Sequence, residues 1–381
     1  MRRRTFLRGG CACGAALLPA AALAQGWESP PRFVRPEVAS DEGGLWALMD
    51  REETRLRRSP FSLRDPELRA YVQDIACRLG GEHCPDIRVH LMRTPYFNAS
   101  MAPNGMMQVW SGLMLRVDNE AQLAAVLGHE IGHYLARHSI DRLRDAKSRA
   151  AFGQFLVLLG PVGALGQLGV VAGMFAYSRD HEREADRIGA SLMHKAGYDV
   201  AEAGKVWGNL LLEAKARPEG SQDDAVFFAT HPGAEERQAA LEELARASPG
   251  GQTNQQAWQK ATARYLREWL GDEVRRGQHE ESIALLTRAL GRGVYQSEYL
   301  CARGEVYRLR GKEGDLEASL TDFKAAAQSG AEPPQTHRGL GFVYRSRNAP
   351  ADAKASFQRY LELDPQAPDA AMIKTYIEEL T

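Results

Sequence analysis

The stretch Val126-Leu127-Gly128-His129-Glu130-Ile131-Gly132-His133-Tyr134-Leu135 restricts this chain more than any other. It reads as one amphipathic helix carrying His-Glu-x-x-His. Residues four apart lie on the same helix face, one turn from each other. His129 and His133 can therefore both aim a ring nitrogen at one zinc ion, about 2.0–2.1 Å away. Glu130 follows the first of them. Zinc lowers the pKa of a water it holds, and a carboxylate so placed can take the proton. The stretch implies hydrolytic chemistry if the rest of the chain supplies a third ligand.

At 381 residues the chain has room for two domains. With 25% charged and 44% hydrophobic residues it is neither a disordered nor a fibrous sequence. No basic stripe with interleaved aromatics is present, so nucleic acid is not expected as a partner. The N-terminus reads as an export signal. Arg3-Arg4-Thr5-Phe6-Leu7 has the twin-arginine form, an apolar run from Gly9 to Leu23 follows, and Ala22-Leu23-Ala24 is a small-x-small cleavage site. Cleavage after Ala24 would place the mature chain in the periplasm. It would also lower the basic residues from 48 to 44 against 49 acidic ones. Cys11 precedes the apolar run, so a lipid anchor is not expected. Export permits disulfides. Cys77 and Cys84 flank the Gly80-Gly81 turn, which predicts a local bridge, whereas Cys301 reads as a buried small hydrophobe.

Residues 26–40 read as an extended lead-in. Helices are expected over about Gly44–Arg57 and Asp65–Leu79, and strands over Ile87–Met92, Tyr96–Ala102 and Met106–Trp110, the last two joined by a turn at Pro103-Asn104-Gly105. Asn119 with Gln122 forms a capping-box start for the motif helix, expected to run to about Asp141. Ala150–Tyr177 is apolar, but fewer than 30 residues cannot supply two membrane spans, and seven residues from Gly153 to Gly173 are glycine or proline. It is expected as short helices packed over the domain, with peripheral membrane contact through residues 150–177. Asp180–Lys195 is helical and ends at Gly197; Asp199 with Glu202 starts another helix by a capping box, running to about Ala216; a further helix follows Pro232 to about Arg246.

Ser178-Arg179-Asp180-His181-Glu182-Arg183-Glu184-Ala185-Asp186 offers the third ligand. Glu182 and Asp186 share a face, so one could bind zinc and the other orient a ligand histidine. By spacing alone Glu182, Glu184 and His181 compete, and the interleaved Arg179, Arg183 and Arg187 also suit a solvated ion-pair face. His138, five residues past His133, is expected about 140° away around the helix as a structural residue. His83, His90, His194, His279 and His337 have no metal-ligand spacing.

Ser248–Gln256 reads as a linker. Beyond it, Gly341, Tyr344, Ala353, Phe357, Tyr360 and Pro365 fit a 34-residue unit starting at Pro334. Gly304, Tyr307, Phe323 and Ala326 fit the preceding unit if three residues are inserted near Lys312–Gly314. Gly277, Ser282, Leu286 and Ala289 suggest a degenerate first one. The pattern resembles the tetratricopeptide repeat, paired helices stacked into a superhelix with a concave, peptide-binding face.

His129-Glu130-x-x-His133 followed by Ser178-Arg179-x-x-Glu182-x-x-x-Asp186 resembles the peptidase family of the CAAX prenyl proteases and the HtpX heat-shock proteases. These are gluzincins, with a glutamate as third ligand. The resemblance implies one zinc per chain held by His129, His133 and Glu182, with Asp186 supporting Glu182 and Glu130 activating the water. Thr230-His231-Pro232, with Arg237 five residues past the proline, matches another element of the family. It implies His231 as a switch that occupies the fourth position of the zinc or swings away, and Arg237 as a group that meets the oxyanion or braces the His231 loop. Asn98-Ala99-Ser100 resembles the edge strand that binds substrate backbone in gluzincins.

The expected architecture is α+β, mostly α. It comprises a zincin-type metallopeptidase domain with a small β-sheet over 25–247, a linker over 248–256 and a helical tetratricopeptide repeat domain over 257–381. The expected function is an exported zinc endopeptidase; the resemblance implies misfolded or stalled outer-membrane proteins as substrates, with the repeats recruiting clients or assembly machinery. A periplasmic chaperone or assembly adaptor with a silent or structural zinc site is the alternative from another class, and the intact Glu130 argues against it. A membrane-embedded prenyl-peptide protease is a third reading, opposed by the lack of paired spans.

Overall fold

The computed structural model describes residues 27–148, 177–218, 231–328 and 330–380. The export signal over 1–24 and all of the apolar run except Tyr177 lie outside them. The chain is mostly helical around one small sheet, the expected class.

Helices α1 (Asp41–Arg58) and α2 (Pro66–Gly80) come first, capped by the side chains of Ser40 and Asp65. Cys77 and Cys84 are joined in a disulfide across the following 3-10 turn. Strands β1 (Arg88–Met92), β2 (Ala99–Met101) and β3 (Met106–Trp110) form a sheet in the order β1-β3-β2. β1 runs parallel to β3, with Val89 opposite Met107, and β2 antiparallel to it, with Ser100 opposite Gln108. The turn between β2 and β3 needs Gly105. Its φ is +87°, and an added Cβ would lie 2.0 Å from the Asp86 carbonyl oxygen. β2 is shorter than the expected Tyr96–Ala102. Only Ala99–Met101 complete ladder pairs, although the Asn98 carbonyl accepts from Trp110 N–H at 3.1 Å and Ala102 N–H donates to Met106 at 2.8 Å. By antiparallel alternation, Asn98 and Ala102 face β3 with their backbone groups, while Ala99 and Met101 turn theirs to the outer edge.

The short helix α3 (Ser111–Arg116) leads to the motif helix α4 (Glu120–Leu135). Asn119 caps α4 as expected, its Oδ1 accepting from Gln122 N–H at 2.9 Å, but the return bond differs: Gln122 Oε1 accepts from Asp118 N–H at 2.8 Å instead of from Asn119. The expectation that this helix continues to about Asp141 is corrected. α4 stops at Leu135, Arg137 adopts φ 60°, and α5 (His138–Ser148) starts in a new direction. Such a conformation costs a non-glycine residue on the order of 1–2 kcal/mol. Tertiary contacts hold it there: the Arg137 guanidinium lies 5.1 Å over the Phe33 ring and pairs with Glu42. Phe33 belongs to the lead-in strap, whose Pro30 carbonyl lies 2.8 Å from His83 Nε2 and whose ring meets Tyr134 edge-on at 5.1 Å.

α4 packs against α6 (Arg179–Lys195) more extensively than any other two helices of the fold, and the reason is the absence of side chains at the crossing. A Cβ on Gly132 would come 2.8 Å from the Ala185 carbonyl oxygen, and one on Gly189 2.9 Å from His129 N. Gly197, at φ +81°, ends α6. α7 (Ala201–Lys215) follows, without the capping box expected from Asp199 and Glu202: Asp199 Oδ1 accepts from Ala201 N–H, while Glu202 is turned inward to Asn119 and Gln122. α8 (Ala234–Ala247) packs against α6 and α7.

The segment expected to be a linker is docked. Gln252 forms a parallel bridge with Tyr198, Thr253 C=O accepts from Ala121 N–H at 3.2 Å, and Asn254 Nδ2 donates to Glu120 at 2.8 Å. Helices α9 (Gln255–Thr262), α10 (Leu266–Arg276), α11 (His279–Leu290), α12 (Gln296–Arg310), α13 (Asp315–Ala327), α14 (Pro334–Ser346), α15 (Pro350–Leu363) and α16 (Ala370–Glu379) complete the chain. α12 pairs with α13 and α14 with α15, and the pairs stack through α11 on α12 and α13 on α14. Gly304 and Gly339 face the Phe323 ring, and Gly341 faces Phe357. The main core is continuous from the sheet and α4 into Trp258, Trp269, Leu285 and Tyr299. A chain of ion pairs spans the same boundary, centred on buried Arg116, which reaches Glu213 at 2.7 Å and Glu273 at 3.0 Å.

Candidate metal centre

The close α4/α6 crossing brings residues 49 positions apart in sequence into one cluster. His129 and His133 stand one turn apart on α4, with their Nε2 atoms 3.0 Å from each other. Glu182, in the first turn of α6, approaches from the opposite side. Its Oε2 lies 3.5 Å from His129 Nε2 and its Oε1 3.3 Å from His133 Nε2. His231 closes the group: its Nδ1 is 3.2 Å from His129 Nε2 and 3.1 Å from both Glu182 oxygens. Two ligands of a tetrahedral zinc with bonds of about 2.0–2.1 Å stand roughly 3.3 Å apart. The donor set therefore has the chemistry and the dimensions that zinc requires, and all four residues are buried.

Protonation agrees with that fit. Burial, then the neighbouring Arg237, lowers the pKa of His129; burial, then His129, lowers that of His133 well below the ordinary value. Both rings are held neutral, as metal ligands must be. Burial opposes ionisation of Glu182, but the contacts with His231, His133 and His129 outweigh it and hold the carboxyl far below its usual range.

Glu130 lies beside the cluster. Its Oε1 is buried without a hydrogen-bond partner among the described residues, 3.6 Å from His231 Nε2. Burial pushes its pKa up to about 7, with the Met101 backbone amide opposing the shift. Met101 is one of the two β2 residues whose backbone faces the outer edge, so that edge runs past Glu130. Asn98 is buried, with an amide nitrogen lacking a partner among the described residues, while Ala99 is buried and Ser100 half-buried.

Asp186 accepts from His129 Nδ1 at 2.9 Å and so fixes the ring that presents Nε2 to the cluster. Arg237 sits beneath both carboxylates. Its Nε and Nη2 donate to Asp186 at 2.7 and 2.6 Å, its Nη1 lies 2.5 Å from Glu182, and its guanidinium stacks 3.9 Å over Trp207. These contacts, with Asp186 and Glu182, differ from both roles expected for Arg237, the oxyanion and the His231 loop.

Three neighbours were not found by sequence reasoning. Tyr177 stacks on His133 with centroids 3.7 Å apart and planes at 15°. Trp207 lies behind His129 and Arg237; nothing in its spacing ties it to the motif. His138 does not point away. The break at Arg137 folds it back, and its Nδ1 lies 2.8 Å from His133 Nδ1. The competition on α6 is also resolved: Glu182 enters the cluster, Glu184 faces His138, and His181 stacks on His138 at 4.2 Å.

Two histidines of one helix, a glutamate of a second and the buried Glu130 carboxyl beside them form a centre of the metallopeptidase class. Residues 62–245 match the model of peptidase family M48, whose members use zinc. It is similar to mitochondrial metalloendopeptidase OMA1 of Schizosaccharomyces pombe, 34% identical over 160 residues, 41% of this chain and 45% of the relative. It is also similar to the beta-barrel assembly-enhancing protease of Escherichia coli O157:H7, 30% identical over 200 residues, 48% of this chain and 40% of the relative. A putative protease of the same name from Vibrio cholerae is 27% identical over 210 residues, 51% of this chain and 42% of the relative. The chain thus spans less than half the length of these relatives.

Proposed function

We propose that the chain is an exported zinc metalloendopeptidase that hydrolyses peptide bonds of misfolded or stalled outer-membrane proteins in the periplasm. The observation that carries the peptidase reading is the buried group of His129, His133 and Glu182 donors, 3.0–3.5 Å apart, beside Glu130, whose Oε1 has no hydrogen-bond partner among the described residues. Zinc held by those three residues supplies Lewis-acid polarisation of a scissile carbonyl and an acidified water. Glu130 takes a proton from the water and returns it to the leaving amine nitrogen. Asp186 fixes the His129 ring, and Arg237 keeps Asp186 ionised and holds Glu182 in place. The outer edge of β2 pairs with the backbone of an extended client next to Glu130 through the outward backbone groups of Ala99 and Met101; of the expected Asn98, Ala99 and Ser100, Asn98 and Ser100 turn theirs to β3.

His231 is a latch in this reading. With Nδ1 among the ligand atoms it fills the fourth position and keeps water out; moving it away opens the centre. The helix pairs from Leu266 onward are read as tetratricopeptide repeats that recruit clients or assembly machinery. The outer-membrane client class follows from the names of the beta-barrel assembly-enhancing relatives and from the export signal. No described helix is long and apolar enough to cross a membrane; the peripheral membrane contact expected for residues 150–177 remains part of this proposal.

The test is cleavage of an unfolded outer-membrane β-barrel protein by wild type, Glu130→Gln and His231→Ala, with zinc content measured alongside. Glu130→Gln is expected to keep its zinc and lose cleavage by at least about 100-fold, and His231→Ala to raise the basal rate. Equal cleavage by wild type and Glu130→Gln would remove the peptidase mechanism. Suppressed aggregation without cleavage in all three proteins would favour the adaptor.

A further inference from the structure

We infer that His138 is a positioning residue for the zinc ligand His133, held in the required tautomer by Glu184. The inference rests on the zinc reading of the centre and adds a residue to it. His133 turns Nε2 toward Glu182 and His129, and its other nitrogen, Nδ1, lies 2.8 Å from His138 Nδ1. Two ring nitrogens at that distance are hydrogen-bonded, so one carries the proton and the other a lone pair. On the far side of the ring, His138 Nε2 lies 3.3 Å from Glu184 Oε2.

The direction of the chain follows from what each end can do. A carboxylate only accepts, so His138 carries its proton on Nε2, toward Glu184. Its Nδ1 is then a bare acceptor. His133 must donate to it from Nδ1, which leaves the His133 lone pair on Nε2, the atom that faces the other ligands. Ligating histidines ordinarily have this second nitrogen fixed by a carboxylate or a carbonyl. His129 follows that pattern through Asp186. For His133 the carboxylate acts through an intervening imidazole. Packing holds the intervening ring: His138 is buried, stacks on His181 at 4.2 Å with planes at 19°, and owes its place to the left-handed Arg137. Glu184 is 47% exposed, so water can stand in for it, and the orienting effect resides mainly in His138.

The discriminating pair is His138→Asn and His138→Phe in the full chain. Asparagine Oδ1 occupies the place of Nδ1 and accepts the His133 proton, but brings no ring. Phenylalanine keeps the ring and its stacking but has no acceptor. Zinc affinity is read by competition with a chelator, and folding by circular dichroism and urea midpoint of the metal-free proteins. His138→Phe is expected to lower zinc affinity roughly 10–100-fold, and His138→Asn to stay near wild type. A packing role predicts the reverse order. Equal loss in both variants, or loss in neither, would overturn the assignment. The zinc reading has its own control: if wild type binds zinc and His129→Ala does not, that reading stands whatever the His138 variants do. A wild type without zinc removes both.

Discussion

Glu53 shows how one buried carboxylate ties the sheet to α1. Burial opposes its ionisation, but hydrogen bonds from His90 and Arg88 outweigh that and bring its pKa down to about 2. A group depressed from its unfolded value of about 4.3 contributes stability above that pH and loses it as pH falls through the folded value. The difference is worth on the order of 3 kcal/mol at neutral pH. Urea unfolding is therefore expected to show Glu53→Gln less stable than wild type at neutral pH, with the gap closing between about pH 4.3 and pH 2. A gap independent of pH would mean that the side chain acts by packing alone. At the centre itself, local periodicity marked the candidates on two helices, while the choice of Glu182 and the naming of His231 and Arg237 came from the family resemblance. His129, Glu130 and His133 lie on one turn of helix, and Glu182 and Asp186 on one turn of another. His138 could not be placed, because its position depends on the left-handed Arg137, and an arginine in that conformation leaves no mark in the sequence.

Helix crossing is the element on which the centre depends. Glu182 reaches both histidines only because Gly128, Gly132, Ala185 and Gly189 let α4 and α6 meet backbone to backbone. Gly132→Ala adds a Cβ 2.8 Å from the Ala185 carbonyl oxygen and is expected to cost about 1–3 kcal/mol and to weaken zinc binding. Gly44→Ala, in α1 with nothing within 4 Å of the new Cβ, is expected to stabilise by about 0.4–1 kcal/mol and leave zinc binding unchanged. Thermal unfolding and chelator competition on the two variants check both; a Gly132→Ala protein with wild-type zinc affinity would show that the crossing has slack. Helix and strand positions were readable to within a few residues, since caps such as Ser40, Asp65 and Asn119 and the Pro103-Asn104-Gly105 turn act locally. What failed was everything settled at a distance. Glu202 looked like half of a cap and serves as a buried acceptor for Asn119 and Gln122, on a helix some 80 residues away.

At the scale of the molecule, the metal-centre half and the helices α9 to α12 share one core and one ion-pair chain, while Phe323 and Phe357 centre separate clusters in the later pairs. Arg116 is held between Glu213 of α7 and Glu273 of α10, while Arg288 and Arg292 of α11 converge on Asp118 at 2.6 and 2.7 Å. Arg116→Ala leaves two buried carboxylates facing each other and is expected to cost roughly 3–5 kcal/mol. Urea unfolding followed separately by zinc release and by tryptophan fluorescence should then separate into two transitions where wild type shows one; coincident transitions would mean that the apolar core alone couples the halves. The composition of Ser248–Gln256 reads as a tether, and the backbone bonds to Gly197, Asp199 and Ala121 that fix it are beyond any local signal. That docking bears on how the gene can be divided. A fragment ending at Ala247 would lack the Thr253 carbonyl that takes up Ala121 N–H and the Asn254 amide that meets Glu120 in the first turn of the motif helix. It would also bare the apolar surface that Trp258, Trp269 and Leu285 cover. A fragment ending at Ala247 is therefore expected to unfold at lower urea than the full chain.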